Sequence, residues 1–467
     1  MKKLAIYMLV ALSFTGCLDI RLEDQYSDPD AINTVQRARE LLASAYNSIP
    51  RYQVQLSVLS DDFVPTNLSS SYADLPNLYN WQERAIDDLS ATVWMDYYMT
   101  VANVNALLPR LDNVEVEDEE DAAELEKIRS EAKTLKAMCY FDLLRLYAPV
   151  WTDENMDKDG IILKDRLELQ FLPRSPLSKC ISEIVTLLDD AAKVDNPAGE
   201  VYYLGNNAVA ALRAEVELYR GNYGDAISYG LPLLADAESR WTQTDYDNLW
   251  SDSNSNERLF APYIFDTFYT DLCYDTTNGD YYILNDDIVF DEGDIREAWT
   301  VYPFTMSASS SNPREVRSFG KYNRMYYENT DVRYINTIRY SGVCFIVAEA
   351  YARDNKEAEA IALMNRYLAA RGVDEWDAAD PDLTGDGLIE AIIAEKRKEF
   401  VGEGTRWFDL KRLGGDLDRY SNFGSSVSST VKEGDYRWLF PIPRSEYRYN
   451  EYVNQNPDWP VIAVEQQ

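Results

Sequence analysis

Residues Leu125–Leu146 read LEKIRSEAKTLKAMCYFDLLRL, and within them Leu125, Ile128, Ala132, Leu135, Cys139, Leu143 and Leu146 recur at spacings of three and four. That period puts the apolar and small side chains on one face of an α-helix and leaves the charged ones outside. Pro149 follows closely. Proline donates no backbone hydrogen bond and drives its predecessor out of the helical region, so the pattern predicts a long amphipathic helix ending near Ala148. The acidic run Glu115–Asp121 ahead of it reads as a solvated loop and helix start, where negative charge suits the helix dipole.

Further along, Ala214, Gly221-Asn222-Tyr223 and Ala226-Ile227 reproduce the small-residue and turn spacing of a tetratricopeptide repeat. Gly221 is free to take the positive φ that ends a helix. Around Ala348 the pattern returns, with Tyr351, Asn355 at the turn and Ala360-Ile361. The two repeats lie 134 residues apart, so a regular tandem solenoid is not expected. The interval of about 240–338 is rich in Tyr, Trp, Asp, Asn and Ser, with short alternating pieces such as Tyr281–Val289. Helices are expected again at 340–371 and 386–401, and a short strand or extended segment at Arg437–Ile442. The expected fold is mainly α: a tetratricopeptide-like helix-pair scaffold (about 30–235 and 340–412) with a loop-rich, partly β insertion (about 240–338). That insertion and the irregular stretch Leu56–Trp81 should form the binding face, with one continuous core in a single domain, 17–467.

The N-terminus carries Lys2 and Lys3, an apolar run Leu4–Phe14 and then Thr15-Gly16-Cys17, the order of an export signal. Cleavage after Gly16 would remove a signal peptide of residues 1–16 and expose Cys17 for acylation and membrane anchoring. The run is shorter than the roughly 20 apolar residues a spanning helix needs. Loss of the two lysines takes the formal charge from −35 to −37. So acidic a chain repels phosphates and offers no basic stripe, which excludes nucleic acid as a partner. The chain has no histidine, and that removes Ser-His-Asp and Cys-His nucleophile systems and every histidine-containing zinc site. Cys139, Cys180, Cys273 and Cys344 are widely spaced in a chain long enough to bury a large core, and read as buried thiols.

Three blocks carry a family resemblance: EAKTLKAMCYFDLLRLY (Glu131–Tyr147), EKRKEFVGEGTRWFDLKR (Glu395–Arg412), and LFPIP (Leu439–Pro443) with Glu446 and NQNP (Asn454–Pro457). In this order, behind Cys17, they resemble the SusD/RagB family of outer-membrane nutrient-binding lipoproteins. Ala148 stands where glycine is common, and Asp458-Trp459 where Gly-Tyr is usual. The resemblance implies a tetratricopeptide-like scaffold, a glycan-binding face, and a partner SusC-like TonB-dependent outer-membrane transporter that the lipoprotein caps. It implies an outer-membrane location facing the exterior, no catalysis and no cofactor. It also implies that the block residues are structural, and Glu403, Arg406 and Asp409 are placed to pair locally beside Gly404.

Tyrosine occurs 34 times against 15 phenylalanines, and a ring with a polar tip suits a sugar with its apolar faces and hydroxyl rim. Ligand-binding candidates in the irregular segments are Tyr72, Tyr79 and Trp81, then Trp250, Tyr281, Tyr282 and Trp299, with Asp280 and Arg296 as polar partners; Asp61, Asp62 and Asn278 are weaker ones. Trp94, Tyr97 and Tyr98, ahead of Asn103, read as scaffold packing. Asp382-Leu-Thr-Gly-Asp-Gly387 opens like a calcium loop, yet Ile393 occupies the twelfth position, where a carboxylate belongs. Capping of the next helix by Asp382 or Thr384 is the preferred reading, and no metal is expected. The rival readings are peptide as cargo in the same role, an all-α glycoside hydrolase using two of the 80 carboxylates, and a peptide-binding adaptor. Neutral or host-type glycans are the default cargo, although Arg314, Arg317, Lys321 and Arg324 could form a local basic patch.

Overall fold

The computed structural model describes residues 32–66, 74–251, 253–263, 282–306, 313–323 and 334–461; the signal-like stretch, Cys17 and Cys273 lie outside them. The chain begins with α1 (Val35–Asn47), α2 (Gln53–Leu59), strand β1 (Phe63–Pro65), α3 (Asp74–Tyr79) and α4 (Glu83–Leu107). The periodic stretch forms the body of α5 (Glu119–Tyr147). Asp118 caps that helix by accepting from the amides of Glu120 and Asp121, and Glu119–Asp121 place negative charge on its first turn. It stops at Ala148, whose extended backbone is what the following proline requires. At this end the Lys411 ammonium donates to the carbonyls of Arg145, Leu146 and Ala148, which have no helical partner of their own. Against α5 lies α6 (Leu177–Ala191).

The first repeat is α7 (Asn206–Tyr219) and α8 (Tyr223–Gly230), turned by Gly221 at φ 77°. The insertion then supplies α9 (Gln243–Asn248), β2 (Arg258–Phe260), β3 (Tyr282–Leu284), α10 (Ile295–Thr300), β4 (Val301–Met306), β5 (Arg314–Phe319) and β6 (Ile338–Arg339). Its strands are shorter than the alternating pattern suggests: of Tyr281–Val289 only three described residues pair, antiparallel to β1 with Phe63 opposite Leu284. The second repeat, α11 (Tyr340–Arg353) and α12 (Glu357–Ala370), turns at Asn355 with φ 58°. Although far apart in sequence, the two repeats stack directly, since α11 packs on both α7 and α8. Gly230 lies so close to α11 that a Cβ there would sit 2.6 Å from the Val347 side chain. The insertion is therefore looped out between consecutive repeats.

The chain continues through α13 (Gly385–Phe400), α14 (Thr405–Leu413), the hairpin β7 (Leu417–Ser421) and β8 (Ser426–Val431), and α15 (Arg444–Tyr449). Arg437–Ile442 is not a strand: Tyr436–Trp438 form a 3-10 turn, and the extended residues after it reach α5 through a Phe440 N–H to Leu146 carbonyl bond. The expected cap on α13 also differs. Neither Asp382 nor the side chain of Thr384 caps it; the Glu357 carboxylate accepts from the Thr384 hydroxyl and the Gly385 amide. Among the described residues no helix is long and apolar enough to cross a membrane, and no carboxylate or cysteine cluster is arranged to hold a metal. Cys139, Cys180 and Cys344 are free, buried thiols.

The interior is not one continuous apolar core. Among the described residues it divides into a cluster around α1–α7 and the C-terminal turns, a second around α8, α11, α12 and α13, and a small third between the strands β1, β3, β4 and β5 and the β7–β8 tip. A buried ionic seam lies where the first two meet. Arg339 binds Glu257 at 3.1 Å, Glu403 at 3.0 Å, and Glu399; Arg371 binds Glu257 at 2.9 Å; Lys321 binds Glu403 at 2.8 Å. Burial disfavours ionisation of Glu399, but Arg371, Arg339, Arg296 and Lys321 together pull its carboxyl down to about 2. Its folded value is below the unfolded one, so its contribution is present above the ordinary carboxylate range and lost as pH falls through that range toward about 2. Glu399→Gln is expected to cost about 3–5 kcal/mol at pH 7, because it leaves buried guanidinium charge uncompensated. Urea unfolding at pH 7 and at steps below pH 5 should show that loss and a shallower acid dependence in the variant.

Candidate functional site

Strands β1, β3 and β7 bring their ends together around a pocket of about 230 Å3, and every described residue lining it is uncharged. Tyr79, at the end of α3, and Tyr282, at the start of β3, form walls with ring centroids 5.7 Å apart. Tyr79 rests on the Arg419 guanidinium, 3.6 Å from its ring centre. Arg419 in turn donates to the carbonyls of Val58, Ser60 and Tyr79, which ties β7 to the α2–α3 region. Burial lowers Arg419 to about 10, still protonated at neutral pH. The Tyr79 phenol oxygen accepts from the Tyr420 amide at 2.9 Å, so the hairpin and the wall are joined.

The tip of the β7–β8 hairpin carries three successive left-handed residues, Asn422, Phe423 and Gly424, with φ of 47°, 62° and 73°. A positive φ is uncommon for a bulky residue such as phenylalanine. Phe423 holds it because its ring is buried among Val64, Ile283, Met306 and Val316 while its N–H donates to the Pro65 carbonyl at 2.8 Å. The strained turn presents Asn422 to the pocket. Among the described residues, the Tyr282 and Tyr420 phenols and the Asn422 amide make no hydrogen bond, and Asn80 uses only its amide nitrogen, on the Pro76 carbonyl.

Of the residues expected from sequence to bind ligand, the fold brings Tyr79 and Tyr282 together. Tyr72, Tyr281, Asp280 and Asn278, with Arg324 of the basic patch, lie outside the described residues. Trp81 is a correction: it is fully buried between Trp407 and Trp438, with centroids at 5.1 and 4.6 Å, and its indole donates to the Leu59 carbonyl. Trp250 is likewise buried, edge-on to Tyr322, and Arg296 is sealed inside an ion pair with Asp294 and Glu395. None of these three has a face left for a sugar. Trp299 is half-buried, with its indole N–H on Asp247 at 2.6 Å. Asp61 is engaged by Arg406 through two bonds of 2.8 and 2.9 Å, and buried Asp62 accepts from the Gly402 amide at 3.0 Å. Lys321 of the basic patch is buried in the ionic seam.

A second cavity of about 230 Å3 lies between the helical scaffold and the α2–α14 pair. Most of its charged walls pair with one another. Arg145 pairs with Asp142 and Glu215 and is sandwiched between Phe141 and Phe408, and Asp409 pairs with Lys396 and Arg412. The block residues thus pair at long range and not only locally: Glu403 with Lys321 and Arg339, Arg406 with Asp61, Asp409 with Lys396 as well as its neighbour Arg412.

A profile described as the SusD family matches residues 186–459, more than half of the chain. The chain belongs to the SusD family. A second profile, described as "Starch-binding associating with outer membrane", matches residues 19–217 of this SusD-family chain. SusD-like protein P38 of Formosa agariphila is 21% identical over 88% of the chain and 91% of its own length. Among solved structures, a SusD superfamily protein from Bacteroides thetaiotaomicron superposes with a TM-score of 0.76 at 21% identity, over 91% of this chain and all of that one. A SusD-like carbohydrate binding protein from Bacteroides vulgatus gives 0.73 at 18% identity, over 93% of this chain and 100% of that one.

Sequence reading missed Tyr420, Asn422 and Asn80. The Asn422-Phe-Gly424 turn signal was available in the sequence, but its place beside Tyr79 was not. Two measurements separate structural from binding roles in this SusD-family chain. Trp81→Ala is expected to cost about 3–5 kcal/mol of stability by emptying a packed aromatic site, read by denaturant unfolding. Burial, and the neighbouring Asp61, raise Asp62 to about 6 against the pull of Arg397 and the Gly402 amide. Its folded value lies above the unfolded one, so ionisation opposes folding increasingly as pH rises through that interval. Asp62→Asn is expected to be more stable than the parent at pH 7.5 by about 1–3 kcal/mol, with the gain absent near pH 3.5.

Proposed function

We propose that this chain captures glycan outside the outer membrane and passes it to a TonB-dependent, SusC-like transporter, held in place by acyl chains on Cys17 and breaking no glycosidic bond. The observation that carries the reading is the tyrosine pocket, uncharged among the described residues, in which the Tyr282 and Tyr420 phenols and the Asn422 side chain have no partner among the described residues. A sugar offers a rim of hydroxyls, and the phenol and amide groups of this pocket, with the half-buried Tyr420 ring beside them, match it. The Bacteroides vulgatus relative described as carbohydrate binding, and the profile described as starch-binding and associating with the outer membrane, support the same class of ligand and location. Glycosidic cleavage requires a pair of carboxylates flanking the bond, and none of the described lining residues carries one. Hydrogen bonds between neutral groups, about 0.5–1.5 kcal/mol each, place affinity in the millimolar to micromolar range. Such binding releases its cargo readily, as delivery requires.

The test is a calorimetric and affinity-gel screen of the chain lacking residues 1–17 against plant, microbial and host glycans, with reducing ends assayed in the same samples. Binding in that affinity range with no new reducing ends is expected. Sustained release of reducing ends would overturn the non-catalytic reading, and binding of peptides in place of every glycan would overturn the cargo.

A further inference from the structure

We infer that the tyrosine pocket accepts a single uncharged sugar ring, a chain end or a one-residue branch, and neither runs along the length of a polymer nor takes uronate or sulfated sugars. The inference rests on the glycan-capture reading and specifies what that site recognises.

The size of the pocket is the first argument. At about 230 Å3 it is smaller than the roughly 300–1,000 Å3 clefts that enclose drug-sized ligands, which leaves room for one ring. Its shape is the second. A surface that stacks several consecutive sugars needs exposed aromatic faces in a row, but Tyr79 and Tyr282 are each only 2% exposed. They are walls of a recess, with Tyr420 half-buried beside them. A sugar must enter this recess end-on.

The polar groups specify the chemistry. The Tyr282 and Tyr420 phenols, the Asn422 amide and the Asn80 side-chain carbonyl have no other hydrogen-bond partner among the described residues. All four are neutral, and together they offer both donors and acceptors, which matches a rim of hydroxyls. An anionic sugar would need a cation in the pocket wall, and none of the described lining residues is one. Arg419 lies under Tyr79 with three carbonyls, Arg397 is on Asp61, Arg314 is over the Phe423 ring at 4.0 Å, and Arg317 donates to the Ile288 carbonyl. At the open side of the pocket the carboxylates dominate: beyond its own partial burial, the Tyr420 phenol is raised by Asp287, Asp418 and Asp61, with Arg397 opposing, whereas the buried walls Tyr79 and Tyr282 feel Arg419 from beneath. Carboxylates in these positions repel a uronate or a sulfate ester.

The experiment uses the chain lacking residues 1–17 and a neutral polymer retained in the affinity-gel screen. Competition is measured with methyl glycosides of glucose, galactose, mannose and N-acetylglucosamine, with methyl glucuronoside and galactose 6-sulfate, and with neutral oligosaccharides of increasing length. One neutral glycoside should compete at least tenfold better than either anionic probe, and affinity should stop rising beyond two residues. Tyr282→Phe and Tyr420→Phe should each weaken the polymer and the glycoside by the same factor, about fivefold or more, with melting temperature unchanged. Polymer binding that neither variant alters would overturn the inference while the capture reading stands. Affinity that climbs with every added internal residue, or tighter salt-sensitive binding of an anionic probe, would overturn it too. Retention of no glycan at all would overturn the capture reading, and this inference with it.

Discussion

The guanidinium of Arg339 is the point on which the rest of the molecule depends. It is fully buried and shared by Glu257, Glu399 and Glu403, with Arg371 and Lys321 completing the charge balance around those carboxylates. Arg339 stands at the end of the insertion, Glu399 and Glu403 on and after α13, and Arg371 just beyond the second repeat. The planar cations also lie against aromatic rings of the two larger apolar clusters: Arg339 over Trp250 and Phe400, Arg371 over Tyr246 and Tyr367. Desolvating so many charges is costly, and an apolar seam of the same shape could be as stable. What the ionic seam adds is direction, because fork-shaped donors meet carboxylates in few geometries, so the insertion seats on the scaffold in one way.

From that seam the ordering passes to the tyrosine pocket through the turn between α13 and α14. Gly402 donates to Asp62, Gly404 donates to Ser57, and Arg406 grips Asp61, so three successive contacts hold the chain that enters β1. Gly404 must be glycine twice over: its φ is 79°, and a Cβ would lie 2.9 Å from the Gln53 Cα. Strand β1 then pairs with β3 and lies beside β7, the strands that carry Tyr282 and Tyr420. In this chain the Glu395–Arg412 block registers distant elements against one another.

Much of the scaffold was legible in sequence because helical order is local. The three-and-four spacing of α5, the small residues facing one another in the two repeats, and the left-handed residues Gly221 and Asn355 each depend on neighbours within a few positions. The site was less legible. Trp81 and Trp250 stood in irregular segments, where large aromatics suit a ligand, but irregular backbone is not the same as exposed surface, and both tryptophans fill the core beneath it. Arg296 carried a donor fork fit for sugar hydroxyls, yet its charge could be buried only with Asp294 and Glu395 to compensate it.

By itself the sequence determined the helical class, the two repeats, the absence of histidine chemistry and the family, all of which follow from composition, local period and ordered short blocks. Only the tertiary structure decided that repeats separated by the insertion would stack as neighbours, that charged residues from distant parts of the chain would close one buried seam, and that Tyr79, Tyr282 and Tyr420 would meet. The physical reason is the same in each case. A recess, a seam and a packed helix pair are made by surfaces brought together across hundreds of residues, and no local period records which surface will face which.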